Sequence, residues 1–299
     1  MRVLVLGSRG FIGRNIVAKL QAQGAQVLAA SRYAIGGNVI KVCLQEMQQA
    51  EDWIAVLRNV DVVVNSVGIL RERKNETYAS VHTFSVESLA DACAQLGVRL
   101  IHISAIGLTA TAKSGFITSK YWGEQAILSS GANAVIVRPS LLDGDGGYGA
   151  KWFRRVAAWP IQFVMQSQGL VAPLQVTDLG EAVANLCAMS FAELPKIIEL
   201  GGSNTMTIPQ YLKLLRLSTT RKPALQIAMP KWLVRMVSHI FDVLAWTPLS
   251  FGHFELMQGY NVPAKNSLPA LLGRRPSVIG VKAENEPEWR LVKANLPSS

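Results

Sequence analysis

Three glycines at fixed spacing are the first residues whose types could do chemistry. Gly7-Ser8-Arg9-Gly10-Phe11-Ile12-Gly13 follows an apolar run and precedes a stripe of helical period, with Ile12, Ile16, Val17 and Leu20 on one face. A GxxGxxG turn between a strand and a helix suits the pyrophosphate of a dinucleotide. Gly7 lets the chain turn off the strand, Gly10 lets backbone approach the phosphates, and Gly13 lets the helix pack on the sheet. The anion then sits at the helix N-terminus, opened by Phe11 and Ile12, where amides are unpaired and the dipole is favourable.

The next residues along bear on which dinucleotide. An NAD site usually has an acid about 20 residues past the glycines, on the ribose hydroxyls. No acidic residue occurs here between Gly13 and Glu46. The second strand closes instead on Ser31-Arg32, and Arg9 lies inside the glycine turn. Two guanidinium groups and a hydroxyl predict NADP(H), with Arg32 paired to the 2′-phosphate. Arg32 as a solvated surface charge is the alternative.

These residues need a frame, and the pattern supplies one. Short apolar strands are expected at 3–6, 26–30, 39–44, 60–65, 100–104 and 134–137. Helices are expected at 12–23, 47–58, 77–96 and 119–129. Apolar strands alternating with helices indicate a parallel sheet covered on both faces, with right-handed crossovers. The fold class is α/β, a doubly wound parallel Rossmann sheet with a smaller, mostly helical C-terminal lobe. Residues 1–220 form the nucleotide-binding domain, with 143–175 contributing to the substrate side, and 221–299 the smaller lobe. In the latter half, a short helix is expected within 151–165, helices at 176–189 (capped near Thr177 or Asp178) and from 209 to 217, and a strand at 197–200.

Composition excludes several classes. With 49% apolar and 17% charged residues, the 299-residue chain is not a disordered protein. Cys43, Cys93 and Cys187 have no CxxC spacing and read as small core residues, and four scattered histidines give no metal motif. No metal site is expected. The net charge is +10, but no basic run or zinc-finger spacing supports nucleic-acid binding. The first residues lack the apolar core of an export signal, and no apolar stretch reaches 18 residues, so a cytoplasmic protein is expected.

The second half is apolar, aromatic and basic. Five of seven tryptophans lie at or beyond Trp152, and no acid occurs between Asp145 and Asp178. Residues 230–246 read as a helix with a wide apolar face, followed by an apolar stretch to 254. That helix could attach to an anionic membrane face or a hydrophobic partner, or be a core helix over the cofactor cleft.

By these residues and the motifs below, the chain resembles an atypical extended short-chain dehydrogenase/reductase. It is most similar to the group containing the nucleotide-binding accessory subunit of respiratory complex I and its bacterial relatives. Gly7, Gly10 and Gly13 match the family's cofactor turn. Asn65-Ser66-Val67-Gly68 resembles the element that lines the nucleotide after the fourth strand. Ser104 matches the catalytic serine, and Arg138-Pro139-Ser140, Val176-Thr177-Asp178 and Leu200-Gly201-Gly202 match later segments. The resemblance covers residues 1 to about 215.

It breaks at one position. The family pairs its serine with Tyr-x-x-x-Lys, whereas this chain has Phe116-Ile117-Thr118-Ser119-Lys120. The resemblance implies that Lys120 holds the nicotinamide ribose and that Ser104 orients a carbonyl or the carboxamide. Phe116 cannot move a proton, and losing a positioned acid costs about 10² to 10⁴ in rate. Tyr121 points about 100° away around the helix. Tyr148, Lys151 and His239 remain as alternative donors, and His102 is taken as structural.

Three roles follow as expectations. The first is an NADP(H)-binding protein with weak or no classical dehydrogenase activity, serving as a structural, assembly or redox-sensing factor. The resemblance adds contact with a respiratory protein or the inner face of a membrane. The second is an NADP-dependent reductase or isomerase of a bulky hydrophobic substrate with a different proton donor. The third is an NADP(H)-sensing regulator.

Overall fold

The computed structural model describes residues 1–33, 39–165, 169–219, 221–230, 255–256 and 259–280. Its centre is a seven-stranded, all-parallel sheet. The first strands are β1 (Arg2–Leu6), β2 (Gln26–Ser31), β3 (Val39–Lys41), β4 (Val62–Asn65), β5 (Arg99–Ile103) and β6 (Ala134–Pro139). The seventh is the later strand Ile197–Leu200, and it flanks β6 at the sheet edge, giving the order (Ile197–Leu200)-β6-β5-β4-β1-β2-β3. The chain reverses direction across the sheet between β1 and β4, and the crevice beyond their carboxyl ends is where open α/β sheets place ligands.

Alternation explains why the strands are apolar throughout. Val3, Val5, Val62, Val64, Ile101 and Val137 point into one core layer. Leu4, Leu6, Val63, Leu100 and Ile136 point into the other. Helix α1 (Phe11–Ala22) covers the first face, and α2 (Ala50–Leu57), α3 (Ser85–Leu96) and α4 (Gly115–Ser129) cover the second. A wider-turned π-helical segment, Ala79–Phe84, runs directly into α3. Helix α4 starts four residues earlier than its apolar pattern indicated, so Phe116 and Lys120 share it from its first turn.

The second half builds on that frame. It comprises β7 (Leu142–Asp143), α5 (Tyr148–Ala158), β8 (Ile161–Met165), β9 (Leu170–Val171), β10 (Leu174–Gln175), α6 (Val176–Ala188), β11 (Ile197–Leu200), β12 (Met206–Thr207), α7 (Ile208–Leu217), β13 (Leu225–Met229), β14 (Tyr260–Asn261) and α8 (Leu268–Leu272). The helix expected within 151–165 is found as α5 and corrected at its end: it stops at Ala158 and β8 follows. Pro160 disfavours helical backbone at Trp159, which is extended at ψ 139°. β8 pairs in parallel with β13, and a third core of Phe153, Val156, Tyr211 and Leu215 joins α5 to α7. Leu268 and Leu272 return to the first core layer.

The expected cap of α6 is also corrected. The helix follows Gln175 with no side-chain cap, and Asp178 instead receives bonds from the Ser277 amide (2.6 Å) and Arg274 (2.9 Å). The three cysteines are buried free thiols, and burial pushes Cys93 and Cys187 up to about 12. No helix among the described residues is long and apolar enough to cross a membrane. The apolar stretch expected at 230–246 and on to 254, with His239, falls outside the described residues beyond Pro230.

Candidate functional site

The glycine turn leaves β1 at Gly7, whose φ of +74° side chains rarely adopt. Gly10 donates its amide to the Gly7 carbonyl at 2.8 Å. A Cβ on Gly13 would stand 2.2 Å from that same carbonyl, so only glycine lets α1 lie this close to the turn. Gly10 is also the N-cap of α1, offers no capping side chain, and no acid occupies the first turn. The amides at Phe11 and Ile12 therefore open a positive helix end suited to an anion.

Phe11 and Ile12 divide their work. Ile12 packs on the first core layer. The Phe11 ring lies against Gly147, and Arg14 stacks over that ring at 5.7 Å while donating to the Asp145 carbonyl. The 144–147 stretch is thereby held against the start of α1.

A cavity of about 290 Å³ opens beside the turn. Gly7, Arg9, Gly10, Ser31, Arg32 and Gly68 all contribute to its wall. Residues from three distant parts of the sequence meet there, as a shared nucleotide site requires. Asn65 lies behind the wall: its Nδ2 donates to His102 Nδ1 (3.3 Å) and its Oδ1 accepts from the Val67 amide (3.1 Å). Fully buried, it shapes the turn into Gly68. His102 is buried in β5 beside Asn65, and burial and the Lys120 charge lower it to about 3.

The cavity contains one residue that spacing alone did not reveal. Arg32 Nη1 donates to both oxygens of Glu76, at 2.8 and 2.9 Å. Glu76 is buried, 44 positions from Arg32 in sequence. Ser31 donates its hydroxyl to the Tyr33 carbonyl at 2.6 Å.

The other end of the site is built on β5 and α4. Ser104 follows β5, is buried, and its Oγ has no hydrogen-bond partner among the described residues. Lys120 is buried in α4, and its Nζ lies 3.7 Å from where a Cβ on Gly68 would stand. Burial lowers Lys120 to about 8, while the carboxylate of Glu124, one turn on, pulls upward. Glu124 is itself fully buried and is held by Arg138 of β6.

Phe116 is buried one turn before Lys120, with Nζ 6.0 Å from its ring centre. His82 packs edge-on to that ring at 5.6 Å and stacks on Tyr78 at 5.7 Å. His82 is the second residue that sequence reasoning missed. Its Nε2 accepts from the Ile69 amide (3.0 Å), so in the neutral ring Nδ1 donates to Ser119 Oγ (3.1 Å). Burial, then the nearby Lys120 charge, keep it well below its ordinary value. The π-helical segment presents it here, and a Cβ on Gly123 would meet the His82 carbonyl at 2.0 Å.

Of the alternative donors, Tyr148 and Lys151 are exposed on α5. Tyr121 packs its ring edge-on to Trp122. The described geometry thus joins the glycine turn and its cavity to a buried serine and a buried lysine, with the Phe116 ring one turn before that lysine.

Comparison with known proteins agrees with this architecture. A family model described as NAD dependent epimerase/dehydratase family matches residues 3–172. The NADH-ubiquinone oxidoreductase 40 kDa subunit of Neurospora crassa is 24% identical over 258 residues, covering 82% of this chain and 67% of that protein. A ceramide reductase of Caulobacter vibrioides is 24% identical over 191 residues, covering 62% and 60%. Among solved structures, MoeE5 in complex with UDP-glucose and NAD superposes with a TM-score of 0.67 at 16% identity, covering 93% of this chain and 94% of that one.

Proposed function

We propose that this chain, which belongs to the NAD dependent epimerase/dehydratase family, binds NADP(H) and turns it over weakly or not at all in the classical dehydrogenase sense. The observation that supports this reading is Phe116, a buried ring without a hydroxyl one turn before the buried Lys120. The cradle fits a dinucleotide: Gly13 leaves room that a Cβ would fill, and Ser104 Oγ is a buried hydroxyl in need of a partner.

In this reading the amides at the start of α1 hold the pyrophosphate. Arg32, with Arg9 and Ser31, takes the 2′-phosphate. Lys120 donates to the ribose hydroxyls on the nicotinamide side, and Ser104 donates to a carbonyl or carboxamide oxygen. The bound cofactor would supply or accept hydride. Phe116 neither gives nor takes the matching proton, and its ring keeps water from the space a phenol would fill. In this reading residues 1–220 serve as the nucleotide domain, with 143–175 facing the substrate side; of the expected smaller lobe at 221–299, residues 221–230, 255–256 and 259–280 are described.

A structural, assembly or redox-sensing role follows, on an inner membrane face or against a respiratory protein. The likeness to a subunit named for NADH-ubiquinone oxidoreductase supports it, as do the +10 charge and the acid-free stretch between Asp145 and Asp178. A second reading, a reductase or isomerase of a bulky hydrophobic substrate, is favoured by the relative named a ceramide reductase and by the Trp152–Trp159 ring pair. The two separate in one assay. The NADPH-loaded protein is mixed with quinones and long-chain carbonyl compounds while the reduced-nicotinamide absorbance is followed. The first reading predicts oxidation at or little above the rate in buffer, and fast, sustained turnover overturns it for the second.

A further inference from the structure

Glu76 occupies an unusual place for a carboxylate. It is buried in the wall of the cavity that holds the glycine turn, Ser31 and Arg32. Its backbone is pinned on both sides: the Arg73 amide donates to the Glu76 carbonyl (2.9 Å) and the Glu76 amide to the Arg73 carbonyl (3.0 Å), closing a tight turn. Two further bonds brace the same loop. The Tyr78 amide donates to Glu72 Oε1 (2.7 Å), and the Tyr78 hydroxyl donates to the Leu70 carbonyl (2.9 Å). The loop therefore delivers the carboxylate to one spot.

At that spot it meets the cation that the 2′-phosphate needs. Both Glu76 oxygens accept from a single Arg32 nitrogen, Nη1. The chain has no acid at the end of β2, where an NAD site usually places one. It supplies one instead from a loop after β4, across the cavity.

We propose that Glu76 is a specificity-determining residue for the nucleotide, a fixed counter-charge that competes with a 2′-phosphate for Arg32. The inference deepens the NADP(H) reading above and rests on it. A 2′-phosphate brought to Arg32 stands beside the Glu76 carboxylate. It must share or displace that carboxylate, and two anions at such range repel. A 2′-hydroxyl carries no charge and meets no such opposition. Arg32 thus draws NADP(H) in, and Glu76 narrows its advantage over NAD(H).

The test is calorimetric titration of the intact wild-type protein and of Glu76→Gln with NADPH and NADH, repeated with adenosine 2′,5′-bisphosphate and AMP. Glu76→Gln keeps the shape and removes the charge. It is expected to tighten NADPH and the bisphosphate about tenfold, the scale of removing one nearby like charge, and to leave NADH and AMP within about twofold. The double variant Arg32→Gln/Glu76→Gln is expected to lose that gain. Glu76→Ser, read by the shift in melting temperature with each nucleotide, gives the same contrast if the glutamine variant folds poorly. Equal change for both nucleotides, or a loss confined to NADH, overturns the proposal while nucleotide binding stands. Binding of neither nucleotide by the wild type overturns the nucleotide reading, and this inference with it.

Discussion

The Lys120 ammonium lies 6.0 Å from the centre of the Phe116 ring, one helical turn away on α4. That pair places a cation over a hydrocarbon face where the family resemblance implies a phenol. In the proposed reading the lysine still holds the cofactor, and the ring beside it offers no proton.

Phe116→Tyr restores the missing hydroxyl. Its ring already sits among Tyr78, His82 and Lys120, so the added oxygen enters next to a cation that lowers a phenol's pKa. NADPH-dependent reduction of simple carbonyl compounds is expected to rise by about 10² over the wild type. No gain, with nucleotide binding intact, would show that the substrate side has diverged as well.

Arg32→Gln is expected to weaken NADPH by about tenfold or more and to leave NADH within about threefold, because the lost bonds are charge-assisted ones to phosphate. Arg32 is partly exposed, so its pair with Glu76 contributes only about 0–1 kcal/mol to stability. Equal loss for the two nucleotides would sink the role of Arg32 at the 2′-phosphate.

Lys120 predicts a pH signature. Its folded value of about 8 lies below the ordinary 10.5, so above pH 8 the unfolded chain binds more protons than the folded one. The folded state therefore gains stability from Lys120 as pH rises from 8 toward 10.5. The buried thiols act in the opposite direction above pH 9, since burial raises them. The comparison that isolates Lys120 is wild type against Lys120→Met by chemical denaturation. The wild type should gain on the variant by about 3 kcal/mol over this window. A pH-independent difference would contradict a buried, proton-binding Lys120.

Gly123→Ala tests how α4 seats the π-helical segment. The new methyl would fall 2.0 Å from the His82 carbonyl, so one element must move. Stability is expected to drop by about 1–3 kcal/mol. The shift should also disturb the Phe116–His82 contact, visible in the His82 ring resonances. A neutral substitution would mean that the two helices are looser than described.

What the chain discloses before folding depends on how local the signal is. The glycine turn, the apolar strands and the Phe116–Lys120 spacing are short-range patterns and are legible, whereas the strand order is a long-range property that appears only in the fold. Arg32 was legible as a cation at the end of β2, but Glu76 was not, because 44 residues separate them and only the folded 69–78 loop brings them together. His82 read as an ordinary residue of a helical stripe, since the π-helical turn that aims it has no distinct period. Pro160 carries a stop signal for α5, masked by the apolar and aromatic run that continues through it. Asp178 had the form of a helix cap, yet Ser277 and Arg274 arrive from about a hundred residues later and claim it.

Calorimetric titration of the nucleotide-stripped protein with NADPH and NADH tests most directly whether a working nucleotide site lies beside Phe116. One molecule bound per chain, with NADPH the tighter, is the predicted result. Absence of binding heat and of thermal stabilisation with either nucleotide would contradict it and leave the glycine turn as a structural feature alone.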